Sequence, residues 1–143
     1  MKRRLQRVAV MLAILLAVCG AVSLLHWGLS IVRFGEVRGG TVSVEGAAPA
    51  PLTPAQAADL TGWLRRTGAK WNRELGSRPP APAAVLEFDG AQGKHWRVLL
   101  FSLPGWRNTV LAADAQHLKA PLNRLLTDRE REELWGIVAP PPH

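Results

Sequence analysis

Residues 84–101 read AVLEFDGAQGKHWRVLLF, and this stretch decides the fold. Two runs that alternate apolar and polar residues flank a short break at Gly90–Lys94, the pattern of two strands joined by a turn. Folding one run back on the other sets Phe88 opposite Trp96 and Leu86 opposite Val98 on one face. The same register sets Glu87 opposite Arg97 and Asp89 opposite His95 on the other face. Apolar meets apolar and charge meets opposite charge, and a slip of one residue would undo both sets at once.

Downstream, Trp106–Ala112 is predicted as a third antiparallel strand after Pro104-Gly105. Pro-Gly suits a type II turn, whose twist does not match a two-residue hairpin, so a longer connection is expected there. Residues 113–126 read as a loop or an edge strand around His117–Pro121. Thr127 and Glu130 then form a capping box that opens a helix burying Leu134, Trp135 and Val138, with Pro140–Pro142 as its stop.

Upstream, Thr53, Pro54 and Gln56 make a second capping box with proline at the first helical position. Leu60, Leu64, Thr67, Trp71 and Leu75 recur at helical spacing, which predicts a helix over 54–75 ended by Gly76 and the prolines that follow. Thr41–Val44 is a short strand, and Gly46–Pro51 an Ala/Pro linker. The fold class is therefore α+β, an antiparallel sheet of about 3–4 strands with two helices in the order β-α-β-β-β-α.

Residues 8–32 contain no Asp, Glu, Lys or Arg. A bilayer core of roughly 30 Å needs about 20 apolar residues as a helix, so this run reads as a transmembrane signal anchor. Lys2, Arg3, Arg4 and Arg7 precede it unopposed by any acid, while His26 and Trp27 suit the far interface. The positive-inside rule puts residues 1–7 in the cytoplasm as a basic tail. Residues 33–53 become a linker with the short strand, 54–139 a periplasmic α+β domain, and 140–143 a Pro-rich tail. Two rivals are a cleaved secretory signal and lipidation at Cys19, because Leu16–Cys19 resembles a lipobox. Against them stand the length of the run, the absence of a clean A-x-A site, and the bulky Val18 ahead of Cys19.

The anchor changes the meaning of the net charge of +7. All 11 acids and 13 of the 18 basic residues lie in 34–143, which leaves that part at +2. The excess is an orientation signal, and nucleic-acid binding loses its main support. One Cys excludes an intramolecular disulfide, and no zinc-ligand spacing occurs.

Chemistry-bearing residues are sparse. A triad could be imagined from Ser102, His95 or His117, and Asp89 or Asp114, but no nucleophile-elbow motif exists. Glu87 and Asp89 share a strand face as paired carboxylates can, yet face Arg97 and His95, which favours ion pairs. Binding residues are better candidates. Trp106 and Arg107 at the turn are of the types enriched in interface hot spots. Arg65, Arg66, Lys70 and Arg73 form a basic helix face suited to lipid headgroups or an acidic partner. Trp63, Trp71, Trp96 and Trp135 are expected in the core.

The expected protein is a single-pass inner-membrane protein of a Gram-negative bacterium, with residues 34–143 in the periplasm. Its small domain acts without enzymatic activity, as a binding or accessory module of an envelope complex. The bilayer and another envelope protein are its expected partners, with no nucleic acid and no metal or small-molecule cofactor. Two alternatives are an immunity-type inhibitor of a toxin or hydrolase at the membrane, and an enzyme acting on an envelope substrate.

Overall fold

A computed structural model describes the backbone of residues 1–26, 29–68, 70–72, 78–114 and 121–139, and the side chains of these residues except 24–31 and 70. The chain begins with a 25-residue helix, α1 (Lys2–His26). Its length of about 37 Å at 1.5 Å per residue exceeds the hydrocarbon core of a bilayer. The helix is long and apolar enough to cross a membrane. The apolar run ends as a strand rather than as helix, β1 (Leu29–Ile31). There follow β2 (Gly39–Val44), β3 (Ala50–Pro51), α2 (Pro54–Thr67) and β4 (Lys70–Asn72). The chain continues with β5 (Ala84–Asp89), β6 (His95–Leu100), β7 (Thr109–Asp114), β8 (Leu122–Leu125) and α3 (Asp128–Val138).

The α+β class holds, but the expected 3–4 strands are an undercount and the expected order is too simple. Among the described residues eight strands form one sheet in the order β1-β4-β8-β7-β6-β5-β2-β3, antiparallel throughout. The additional strands β1, β3 and β4 are two or three residues long. Strands so short carry no readable alternation, and β1 and β4 exist through pairing with segments about forty positions apart. β8 occupies part of the stretch left open between loop and edge strand, and β3 lies inside the Ala/Pro linker.

The central hairpin has the register read from its sequence: Phe88 pairs with Trp96, Leu86 with Val98, Glu87 with Arg97 and Asp89 with His95. Leu86 and Phe88 are wholly buried, and Trp96 and Val98 nearly so. The same face continues through Val42, Val110 and Ala112, and it is covered by Leu60, Trp63 and Leu64 of α2 and Leu134 and Val138 of α3. Trp135 is only half-buried at the margin of this core. The helices thus lie on one face of the sheet, as its one-sided pattern requires.

Both helices start where their capping boxes place them. Thr53 accepts from the Gln56 N–H at 3.1 Å, and Thr53 N–H donates to the Gln56 side chain at 3.0 Å. Thr127 and Glu130 repeat the exchange at 3.2 and 2.9 Å. Gln56 does more than cap, because its Nε2 donates to the Ile137 carbonyl at 2.9 Å and ties the two helices together. Replacing Gln56 by Glu should therefore destabilise the chain by about 1–2 kcal/mol, since a carboxylate cannot donate to that carbonyl. The ordinary gain of about 0.3–1 kcal/mol from an acid in the first turn is too small to offset this. Urea denaturation of the full chain in detergent reads the shift; an unchanged or raised midpoint would refute the second role of Gln56.

The predicted helix 54–75 is too long. It stops at Thr67, and Gly68 follows with φ 82° and ψ 177°, a positive-φ extended conformation open to glycine but strained for residues with a Cβ. Trp71 matches the helical spacing by coincidence. It lies in β4, opposite Ser30 of β1, and is 1% exposed. There its ring meets Phe34 edge to face at 5.4 Å. Burying a Trp in the sheet layer outweighs about two further helical turns whose tertiary partners would be few.

Candidate functional site

Two places bring together the residue types that bind. The first is the connection between β6 and β7. The third strand begins at Thr109 rather than Trp106, because residues 103–108 turn twice: Trp106 N–H donates to the Leu103 carbonyl at 3.0 Å and Thr109 N–H to the Trp106 carbonyl at 2.8 Å. Pro104 and Gly105 are the central pair of the first turn, with Gly105 at φ 84°, as a type II turn demands. The longer connection expected from the sequence is present.

Trp106 leaves this turn half-buried, its ring 5.4 Å from that of the buried Phe101. It is folded back against the end of the sheet, which removes part of its surface from any partner. Arg107 is more exposed and sits 3.9 Å from the Asp128 carboxylate, while its carbonyl accepts from Arg131 Nε at 3.1 Å. Asn108 also donates to Asp128, at 2.9 Å. The corner is thereby fastened to the first turn of α3. Beneath it the cleft between Phe101, Arg107 and Trp135 is about 10 Å³, the space of one water, too small for a ligand.

The second place is a groove of about 340 Å³ between the segment after β1 and the end of α2. Val32–Gly35 form one wall; Leu64, Arg65 and Gly68 form the other. Phe34 is 4% exposed, held in place by edge-to-face contacts with Trp71 at 5.4 Å and Trp96 at 4.7 Å. Arg33 and Arg65 are exposed at this groove, and neither has a carboxylate within ion-pair distance among the described residues. The volume is within the range of small-molecule sites, and its lining is mostly apolar with two cations.

No protein-family model matches the chain, and no curated protein or solved structure is significantly similar to it. Its own residues must therefore carry any functional argument.

The basic helix face expected from Arg65, Arg66, Lys70 and Arg73 does not form as read. Arg66 reaches Glu133 of α3 at 3.6 Å, and Lys70 lies in β4, past the end of the helix. Arg73 falls outside the described residues. Arg65 lines a groove, and its companion there is Arg33, the residue that directly follows the apolar run 8–32. The signal that could have found it is the alternation Val32-Arg33-Phe34, an exposed cation beside a deeply buried ring. Lys2, Arg3, Arg4 and Arg7 stand exposed at the start of α1, and His26 ends it. Trp27 and His117 lie outside the described residues.

The hairpin carboxylates read as catalytic candidates are held in ion pairs. Glu87 pairs with Arg97 at 3.0 Å and Asp89 with His95 at 2.8 Å, which occupies both carboxylates on the sheet face away from the helices. Ser102 lies past the far end of β6 from His95, seven residues on, roughly 23 Å at 3.3 Å per residue, so the two cannot act on one substrate. Among the described residues no group of three His, Cys, Asp or Glu could hold a metal ion.

Proposed function

We propose that the chain is a single-pass membrane protein whose α+β domain, held on the outer side of a bacterial inner membrane, works by binding another envelope protein. The observation that supports this reading is the distribution of exposed apolar side chains. Val8, Leu12, Leu15 and Leu16 of α1 are 58–66% exposed, and their large apolar neighbours from Leu5 to Val22 are 54–72% exposed. The domain buries most of its large apolar residues and leaves only Leu103 and Leu125 exposed among the described ones. A helix that is apolar all round and covered by nothing in its own chain needs lipid as its solvent. The basic residues at its start give the orientation.

Binding fits the domain better than catalysis because the paired carboxylates Glu87 and Asp89 are held in ion pairs, whereas Trp106 is half-exposed and Arg107 exposed. Alkaline phosphatase fused after His143 should be active. An inactive fusion, with a cytoplasmic reporter active at the same position, would reverse the orientation and end this reading. Trp106→Ala should then weaken cross-linking of the partner in intact membranes at least fivefold while the variant still folds; unchanged cross-linking removes Trp106 from the binding surface.

A further inference from the structure

We propose that the groove between Val32–Gly35 and Leu64–Gly68 holds the headgroup of an anionic phospholipid from the membrane that α1 crosses. The inference rests on the reading of α1 as a membrane anchor and adds a ligand to a surface which that reading leaves unused. The lining is amphiphilic in the way such a lipid is. Val32, Phe34 and Leu64 provide apolar wall, and Arg33 and Arg65, from separate segments, bring two positive charges to the same 340 Å³ space. Neither guanidinium is neutralised by a carboxylate among the described residues, although four other arginines of the domain, Arg66, Arg97, Arg124 and Arg129, each lie within 3.6 Å of one. Planar guanidinium forks match phosphate oxygens in geometry as well as charge.

One effect opposes an anion here. The groove lies at the C-terminal end of α2, where the helix dipole places about half a negative charge. Two full guanidinium charges outweigh it. The location supplies the ligand. Arg33 follows the last residue of α1 by seven positions, so an extended chain keeps it within about 25 Å of the bilayer surface, and a long side chain shortens that gap. A tethered groove meets membrane lipid at an effective concentration that no soluble anion reaches.

The test uses the full chain in nanodiscs that contain a diazirine-bearing phosphatidylglycerol or the matching phosphatidylcholine, with labelled peptides mapped by mass spectrometry. The basic start of α1 also attracts anionic lipid, so the readout is labelling of the peptides covering residues 32–35 and 64–68 and not total lipid. Phosphatidylglycerol should label these peptides several-fold more than phosphatidylcholine. Arg33→Gln and Arg65→Gln should each lower the labelling by about fivefold, while Arg33→Lys with Arg65→Lys should keep most of it. Both positions are exposed, and an unchanged thermal melt confirms that the variants fold. Equal labelling by the two lipids, or labelling unchanged in the glutamine variants, overturns the proposal. Loss of labelling in excess inorganic phosphate assigns the groove to a free anion and overturns it as well. Extraction by alkaline carbonate separates the two readings: a chain released from membranes refutes the anchor, whereas a retained chain without groove labelling refutes only the lipid site.

Discussion

Trp63→Ala should cost the domain about 3–5 kcal/mol, the range for removing a large aromatic side chain from a packed core. Trp63 is 1% exposed and stands in α2 facing the sheet. Its indole Nε1 donates to the Glu130 carbonyl in the first turn of α3, at 2.9 Å. One side chain therefore fills the core and fastens the two helices to each other. Since α2 and α3 together cover the apolar sheet face, its loss weakens both. Trp63→Phe separates the contributions, because it keeps most of the ring and removes the donor. That variant should lose about 1–2 kcal/mol, of which the hydrogen bond accounts for about 1. Urea denaturation of the full chain in detergent measures both, and the result that would contradict this packing is a Trp63→Ala midpoint equal to that of Trp63→Phe. A typical domain has only about 5–15 kcal/mol of stability, so the alanine variant should lose a large fraction of it.

Gly40→Ala is the second change with a large expected effect, and adjacent Gly39 provides its control. Gly40 pairs with Phe88 where β2 meets β5. A methyl group there would overlap the Glu87 carbonyl oxygen and stand 2.7 Å from Phe88 Cα. Both obstacles are backbone atoms of the central hairpin, which cannot rotate away as a flexible side chain would. Overpacking of this kind costs about 1–3 kcal/mol, and a clash with backbone belongs at the upper end. A Cβ on Gly39 would meet nothing within 4 Å. Gly39→Ala should thus leave stability unchanged or raise it by a few tenths of a kcal/mol, by restricting the unfolded chain. The pair tests the strand register directly. If both alanines had the same effect, Gly40 would not be the residue that faces β5.

The parts of the fold legible in the sequence are those whose causes are local. The hairpin register followed from residues 84–101 alone, because period-two alternation and matched charges act between runs joined by five residues. Both capping boxes were legible for the same reason, since each is a bond between side chain and backbone three residues apart. The type II turn at Pro104-Gly105 belongs with them. Strands β1, β3 and β4 were not legible. None is long enough to show a period, and β1 exists by pairing with residues 70–72, about forty positions away.

The candidate site divides along the same line. Trp106 and Arg107 could be named from the turn that presents them, but the ring of Phe101 that half-covers Trp106 could not. The basic face built from Arg65, Arg66, Lys70 and Arg73 assumed a helix that continued past Gly68. With the helix ended there, Arg66 turns to Glu133 and Arg65 joins Arg33 at the groove.

By itself, then, the sequence determined an apolar helix fit to span a membrane, a central hairpin with its register, and two helices with their starting points. Each of these depends on contacts within a few residues or on composition alone. Tertiary structure decided where α2 ends, which short segments become strands, and which two arginines share a cavity. The physical reason is burial: Trp71 and Phe34 gain more from the core between sheet and helices than a longer helix would return. Placing them there brings Arg33 and Arg65 together across 32 residues of chain.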